Sequence, residues 1–167
     1  TVTGPGTVEV TTAQLSDLFI IPPLHSNDDF TLDISLTSTE VPEGLPGDGD
    51  TATSTASLFV EVIGVADAPN VTTNPIVSAE DQPIPLGTGV AGGLVDTDGS
   101  ETLYYVISGL PAGVAPSAGS FIGGEWQVSA ADFPGVTIQP PANYSGDYIA
   151  DIAPSLEVRA ITQEDDG

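Results

Sequence analysis

The sequence predicts an all-β fold of the sandwich type, and three observations carry that prediction. Gly and Pro, 19 and 15 residues, fall as punctuation roughly every 8–12 positions. Between them lie short alternating runs rich in Val, Ile, Thr, Phe and Tyr, the period-two pattern that turns one face of a strand toward a core. No 3.6-residue periodicity persists long enough to argue for a helix.

Taken in order, the strand candidates are Val8–Thr12, Phe19–Ile21, Phe30–Thr37, Ala52–Val65, Asn70–Val77, Thr102–Ser108, Trp126–Ser129, Val136–Gln139, Tyr148–Ile152 and Leu156–Thr162. Phe30–Thr37 alternates apolar and polar residues cleanly, and Ala52–Val65 opens on Thr, Ala and Ser before turning apolar at Leu58. Tyr104 and Tyr105 are adjacent, so one is expected to face inward and the other outward. Trp126 reads as an inward core residue and not as a platform for stacking a ligand.

An internal repeat organises these runs. Gly6-Thr-Val-Glu-Val-Thr-Thr-Ala-Gln-Leu…Ile20-Ile-Pro-Pro…Asp29-Phe30 matches Gly124-Glu-Trp-Gln-Val-Ser-Ala-Ala-Asp-Phe…Ile138-Gln-Pro-Pro…Asp147-Tyr148 in constant register. After a short insertion near Ala153-Pro154 the match resumes with Leu32-Asp-Ile against Leu156-Glu-Val and ends at Glu40 against Glu164. Residues 1–66 therefore read as the later half of one module, and residues 67–167 as the following module without its last strand. That strand should resemble Asp50-Thr-Ala-Thr-Ser-Thr-Ala-Ser-Leu-Phe-Val-Glu-Val-Ile-Gly-Val. A whole module would run to roughly 100–120 residues, a usual size for a sandwich. The gap is filled by a segment of a longer polypeptide, by another chain, or bridged by an inserted domain; the sequence leaves these three open.

Charge narrows the function classes. The chain has 24 acidic residues and one basic one, Arg159, for a formal net charge of −23. Nucleic acid and anionic lipid both require basic surfaces, so neither is an expected partner. A disordered acidic tail is disfavoured by the 40% hydrophobic content and its alternation. There is no cysteine, hence no disulfide and no thiolate for zinc. No apolar run reaches the length of about 18 residues needed to span a bilayer. No leader is visible at Thr1, and the chain is expected to be part of something longer.

The acids are clustered: Asp28-Asp29, Asp48-Gly-Asp50, Glu80-Asp81, Asp96-Thr-Asp98-Gly-Ser-Glu101 and Glu164-Asp165-Asp166, with Asp67 following the strand that ends at Val65. Calcium takes six to eight hard oxygen ligands, and Asp-x-Asp-Gly in a turn converges carboxylates around it. The run is not an EF-hand, since its glycine comes too early and Ile107 stands where a bidentate Glu is required. An extended chain from Asn70 to Ala79 covers about 33 Å at roughly 3.3 Å per residue, which puts Glu80 and Asp81 at the pole opposite Asp67. The chain's return brings Asp96–Glu101 back beside Asp67, and Glu164 and Asp165 arrive at the same pole. The expected site is a calcium centre at the module junction made by Asp67, Asp96, Asp98 and Glu101, completed by Asp28 or Asp29. The competing reading makes these acids solvated surface charge that keeps the protein soluble.

The order Val65-Ala66-Asp67-Ala68-Pro69, Ala79-Glu80-Asp81-Gln82-Pro83-Ile84 and Leu94-Val95-Asp96-Thr97-Asp98-Gly99-Ser100-Glu101-Thr102-Leu103 resembles the cadherin-like, immunoglobulin-like repeats of giant bacterial RTX adhesins. Ile107-Ser-Gly-Leu-Pro, Pro140-Pro-Ala-Asn-Tyr-Ser-Gly and Val158-Arg-Ala-Ile-Thr fit the same pattern. The resemblance covers residues 60–167 directly and 6–66 through the repeat. It implies tandem immunoglobulin-like β-sandwich modules, type I secretion, folding on calcium (Ca2+) outside the cell, and a role in adhesion or biofilm formation at the bacterial surface. Neighbouring modules of the same polypeptide are the implied partners. The incomplete modules also resemble split domains that host an inserted ligand-binding domain, and a surface-layer or filament subunit completed by a neighbour's strand is a further alternative.

Catalysis is not expected. His25 is the only histidine, its repeat counterpart is Asn143, and it reads as a turn residue. No Gly-x-Ser-x-Gly elbow and no phosphate-loop pattern occurs. The paired carboxylates of a glycosidase would here lie in turns that look like ion sites.

Overall fold

In a computed structural model the described residues are 6–40, 50–144, 147–151 and 154–165. They form an all-β structure of antiparallel sheets with a few single helical turns. Strands β1 (Phe30–Thr39) and β2 (Thr51–Val60) make a hairpin, β3 (Asn70–Thr73) pairs with β4 (Val90–Gly93), and a four-stranded sheet has the order β6-β7-β5-β8. Its members are β5 (Glu101–Ser108), β6 (Ser120–Ile122), β7 (Glu125–Ser129) and β8 (Glu157–Glu164).

The core lies on one face of the four-stranded sheet. Tyr105 and Ile107 of β5 and Val128 of β7 are buried there with Ile84, Leu86, Phe133, Val136 and Ile138. The period of two puts Tyr105 inward, where its ring stacks on Phe133 at 3.7 Å between centroids, while Tyr104 is half-buried. Trp126 packs against the edge of this core. The β3–β4 ribbon crosses the inner face at Gly92, whose N–H donates to the Tyr105 hydroxyl (2.6 Å). A Cβ on Gly92 would press on that hydroxyl and on Ala160 of β8, so glycine is what lets the two layers approach. At Gly109 both requirements of glycine coincide: φ is +74°, and a side chain would run into the Ser155 carbonyl.

The segment before Asp67 is built differently. The β1–β2 register pairs Phe30 with Val60, Leu32 with Leu58 and Ile34 with Ala56, which collects the hairpin's apolar residues on one face except for Phe59, opposite Thr31 on the other. That face is open: Ile34, Leu36 and Leu58 are 48%, 60% and 51% exposed. The repeat makes the contrast sharp. Phe133, Val136 and Ile138 are buried to 1%, 0% and 0% exposure, whereas their counterparts Leu15, Leu18 and Ile20 are 54%, 53% and 50% exposed.

Several predicted strands are corrected by the structure. Val8–Thr12 and Phe19–Ile21 are not strands, and a 3-10 turn occupies Thr12–Asp17. Val136–Gln139 is reduced to bridges from Ile138 to Ile84 and Pro116. Tyr148–Asp151 is a single helical turn, α2, because the Asp147 side chain takes the Ala150 N–H (3.1 Å) and its carbonyl the Asp151 N–H (2.8 Å); this is the local bonding by which aspartate starts a helix. Ile152, the end of that predicted strand, lies outside the described residues. Strands β4 and β6 and the helical turn α1 (Leu86–Gly89) were not anticipated. Among the described residues no helix is long and apolar enough to cross a membrane.

Candidate metal centre

Asp67 lies on the connection between the hairpin and β3, and three elements converge on it. Its N–H donates to Glu101 Oε1 at the first residue of β5 (2.5 Å). Its carbonyl accepts the Thr162 hydroxyl of β8 (2.5 Å). Its Oδ2 is hydrogen-bonded to His25 Nδ1 at 2.7 Å. His25, Asp67 and Asp96 each offer a ligand atom within 4.8 Å of the others.

The Asp96–Glu101 turn forms the rest of the wall. Asp96 Oδ1 accepts the Asp98 N–H (2.9 Å), and Asp98 Oδ1 accepts both the Ser100 N–H (2.9 Å) and the Ser100 hydroxyl (2.6 Å). These are Asx turns, the reason aspartate recurs at alternate positions here. The hydroxyl of Ser100, followed by its amide, holds the Asp98 carboxyl below its ordinary value of 3.8. A lowered carboxylate contributes stability above its ordinary pKa and loses that contribution as pH falls through the lowered one. Ser100→Ala is therefore expected to move the Asp98 titration midpoint upward, followed by NMR of the carboxyl carbon against pH; an unmoved midpoint would remove the hydroxyl as the cause.

Two glutamates stand beside this group. Glu101 and Glu164 stand directly opposite in the β5–β8 ladder, a placement that like charges disfavour. Glu101 is 5% exposed, as is Asp96. Oε2 of Glu101 and Oε2 of Glu164 are both buried without a hydrogen-bond partner. Glu164 also folds over Gly64, where a Cβ would strike its side chain. Burying a carboxylate oxygen unpaired is costly, and a bound cation or a proton is what offsets it.

The remaining predicted ligands are distributed as follows. Asp165 joins the same pole through its backbone: its N–H donates to the Ser100 carbonyl (2.8 Å), and its own carbonyl accepts from Asn27 Nδ2 (3.1 Å). Asp98 lines the turn and is exposed. Asp29 ties the hairpin base, accepting the Val62 N–H at 2.8 Å, and the exposed Asp28 bonds to Ser26 through its amide. His25 is thus the residue of that turn that reaches Asp67. Glu80 is exposed, and Asp81 accepts the Asn143 N–H (2.5 Å); neither hydrogen-bonds to the Asp67 group among the described residues. Asp48 and Asp166 lie outside the described residues, and Asp50 uses its carbonyl to accept from Glu40 (2.9 Å).

His25 was missed because its repeat counterpart, Asn143, has no imidazole. Nothing in the sequence set it apart from Asn143, and the structure gives both a left-handed φ, 65° at His25 and 60° at Asn143. In comparisons with known proteins, the chain matches no family model, no curated protein and no solved structure.

The donor set fits a hard cation in part. Among the described residues only His25, Asp67 and Asp96 bring ligand atoms within 4.8 Å of one another; Glu101 and Glu164 stand beside that trio as further carboxylates, and calcium would need backbone carbonyls and water as well to reach its six to eight ligands. The imidazole is a poor calcium ligand, so His25 fits as a hydrogen-bond partner orienting Asp67 and not as a ligand of that ion.

Proposed function

We propose that this chain is a calcium-stiffened β-sandwich module, with the half of a preceding one, from a large extracellular adhesin of a bacterial surface. Residues 1–66 are the later half of one immunoglobulin-like, cadherin-like module, and 67–167 the next without its last strand. The role is structural and not catalytic: reach and stiffness in adhesion or biofilm formation, with neighbouring modules of the same polypeptide as partners.

The observation that carries this reading is the pair of buried, unpartnered carboxylate oxygens on Glu101 and Glu164, beside Asp67 and Asp96 at the connection between the two units. Calcium held by Asp67, Glu101 and Glu164 together would tie β5, β8 and the connecting segment into one rigid node, since those residues stand on all three. The net charge of −23 and the absence of lysine support the same reading, since the chain carries no amine to neutralise the node.

The test is thermal unfolding followed by circular dichroism in millimolar calcium, in excess chelator and in magnesium. With free calcium about 10- to 100-fold above Kd, one site is expected to add about 1.4–2.7 kcal/mol, seen as a calcium-specific rise in melting temperature. An unchanged melt, or one equally responsive to any salt, would return the acids to the role of solubilising surface. A response to zinc and not to calcium would assign the compact His25–Asp67–Asp96 trio instead.

A further inference from the structure

His25 is the only histidine in a chain without cysteine, so it alone offers the imidazole or thiolate ligand that transition metals favour. It sits in the turn before β1 with a left-handed φ of 65°, and its Nδ1 stands 2.7 Å from Asp67 Oδ2. Asp96 completes a trio in which each side chain brings one ligand atom within 4.8 Å of the others. The three come from separate places: the turn before β1, the connection before β3 and the turn before β5.

Their surroundings suit a metal with one coordination position open. Asp96 is 5% exposed and is fixed in place by accepting the Asp98 N–H. The side chains of His25 and Asp67 are 32% and 39% exposed, which leaves an entry path and room for water. Next to Asp67, the Glu101 carboxylate takes the Asp67 N–H through Oε1, while its Oε2 is buried without a hydrogen-bond partner. Buried negative charge without compensation thus lies against the trio.

The number and kind of ligands separate the metals. Calcium takes six to eight oxygens, which one nitrogen and two carboxylates do not supply. Zinc is satisfied by three protein ligands from His, Asp or Glu with a water in the fourth position. Ligands about 2.0–2.2 Å from zinc stand roughly 3.3–3.5 Å apart. The His25–Asp67 pair reaches that spacing by opening slightly, and it lies within the trio's 4.8 Å span. The imidazole binds neutral, giving its Nδ1 lone pair and keeping its proton on Nε2.

We infer that His25, Asp67 and Asp96 bind a divalent transition-metal ion of the zinc type, with water as the fourth ligand. The ion clasps the turn before β1 to the unit that follows Asp67, a link that calcium on Asp67, Glu101 and Glu164 would not make. The inference shares Asp67 with the calcium reading but does not rest on it.

The test is a titration of zinc chloride into the whole, metal-free chain in calcium-free buffer, followed by NMR through the imidazole signals of its one histidine. The signals are expected to move and to saturate at one equivalent of zinc, and magnesium should leave them in place. His25→Asn keeps the turn, since asparagine tolerates a left-handed φ and adopts one at the repeat counterpart, Asn143. Read by calorimetry, it is expected to weaken zinc by at least the about 10- to 100-fold that loss of even an outer partner of a metal costs. Asp96→Asn should weaken zinc comparably, which a lone surface imidazole would not require. Unmoved imidazole signals, a shift that never saturates, or unchanged zinc affinity in either variant would overturn the inference. The calcium-induced rise in melting temperature is measured on His25→Asn as well and should persist, so either reading can fail without the other.

Discussion

Replacing Phe133 by alanine is expected to destabilise the chain by about 3–5 kcal/mol, a large share of the 5–15 kcal/mol typical of a folded domain. The side chain is 1% exposed and lies flat against Tyr105, with an interplanar angle of 10°. Alanine would lose the buried area and the ring stack, and leave a cavity between the β5 sheet and the turn at residues 133–135. Tyr105 cannot follow inward to fill it, because its hydroxyl is held by the Gly92 amide across the layers. The same substitution at the repeat counterpart, Leu15→Ala, is expected to change stability by no more than about 0.5 kcal/mol, since Leu15 is 54% exposed. Chemical denaturation of the two variants in parallel checks both figures. Comparable losses would mean that the segment before Asp67 has a covered core after all.

The second large effect concerns Glu101→Gln, which should reverse sign with the cation. In chelator the variant should melt higher than the parent. Its amide oxygen still accepts the Asp67 N–H, and its NH2 gives the orphaned Glu164 Oε2 a donor across the ladder. In calcium the variant should melt lower than the parent, because a neutral amide is a weak ligand and one carboxylate has been withdrawn. The calcium-induced rise, about 1.4–2.7 kcal/mol for one site, should largely disappear. Melting curves of both proteins in both buffers give the four values needed. A variant less stable than the parent in chelator would mean that the carboxylate is held by something other than a metal.

The candidate site was readable in its composition but not in its closure. Asp96, Asp98 and Glu101 are adjacent in sequence, and the Asx turns that bind them are local, so their convergence follows from a few residues. Asp67 entered through a strand-length argument over Asn70–Ala79, of which only Asn70–Thr73 is strand; its bond to Glu101 is a fact of the tertiary structure. The direct opposition of Glu101 and Glu164 was not readable. It depends on the β5–β8 register over a separation of some sixty residues, and register is set by which side chains the core accepts. His25 was invisible for the same kind of reason: its bond to Asp67 joins residues 42 apart.

The repeat separates what sequence decides from what tertiary structure decides. Alternation, turn residues and charge are local properties, and from them alone the all-β class, the sites of chain reversal and the acidic pole follow. Whether an alternating run becomes a strand is not local. Residues 8–12 and 126–129 carry the same pattern, yet β7 exists because β5 and β6 flank it, while Val8–Thr12 has no ladder beside it among the described residues. Ile138 bridges Ile84 and Pro116 and is buried; Ile20 is half exposed at the equivalent place. A strand's hydrogen bonds are made to its neighbours, and its apolar face is worth burying only when another layer covers it. Two stretches of chain with the same pattern therefore end in different structures, and the presence of neighbouring strands makes the difference.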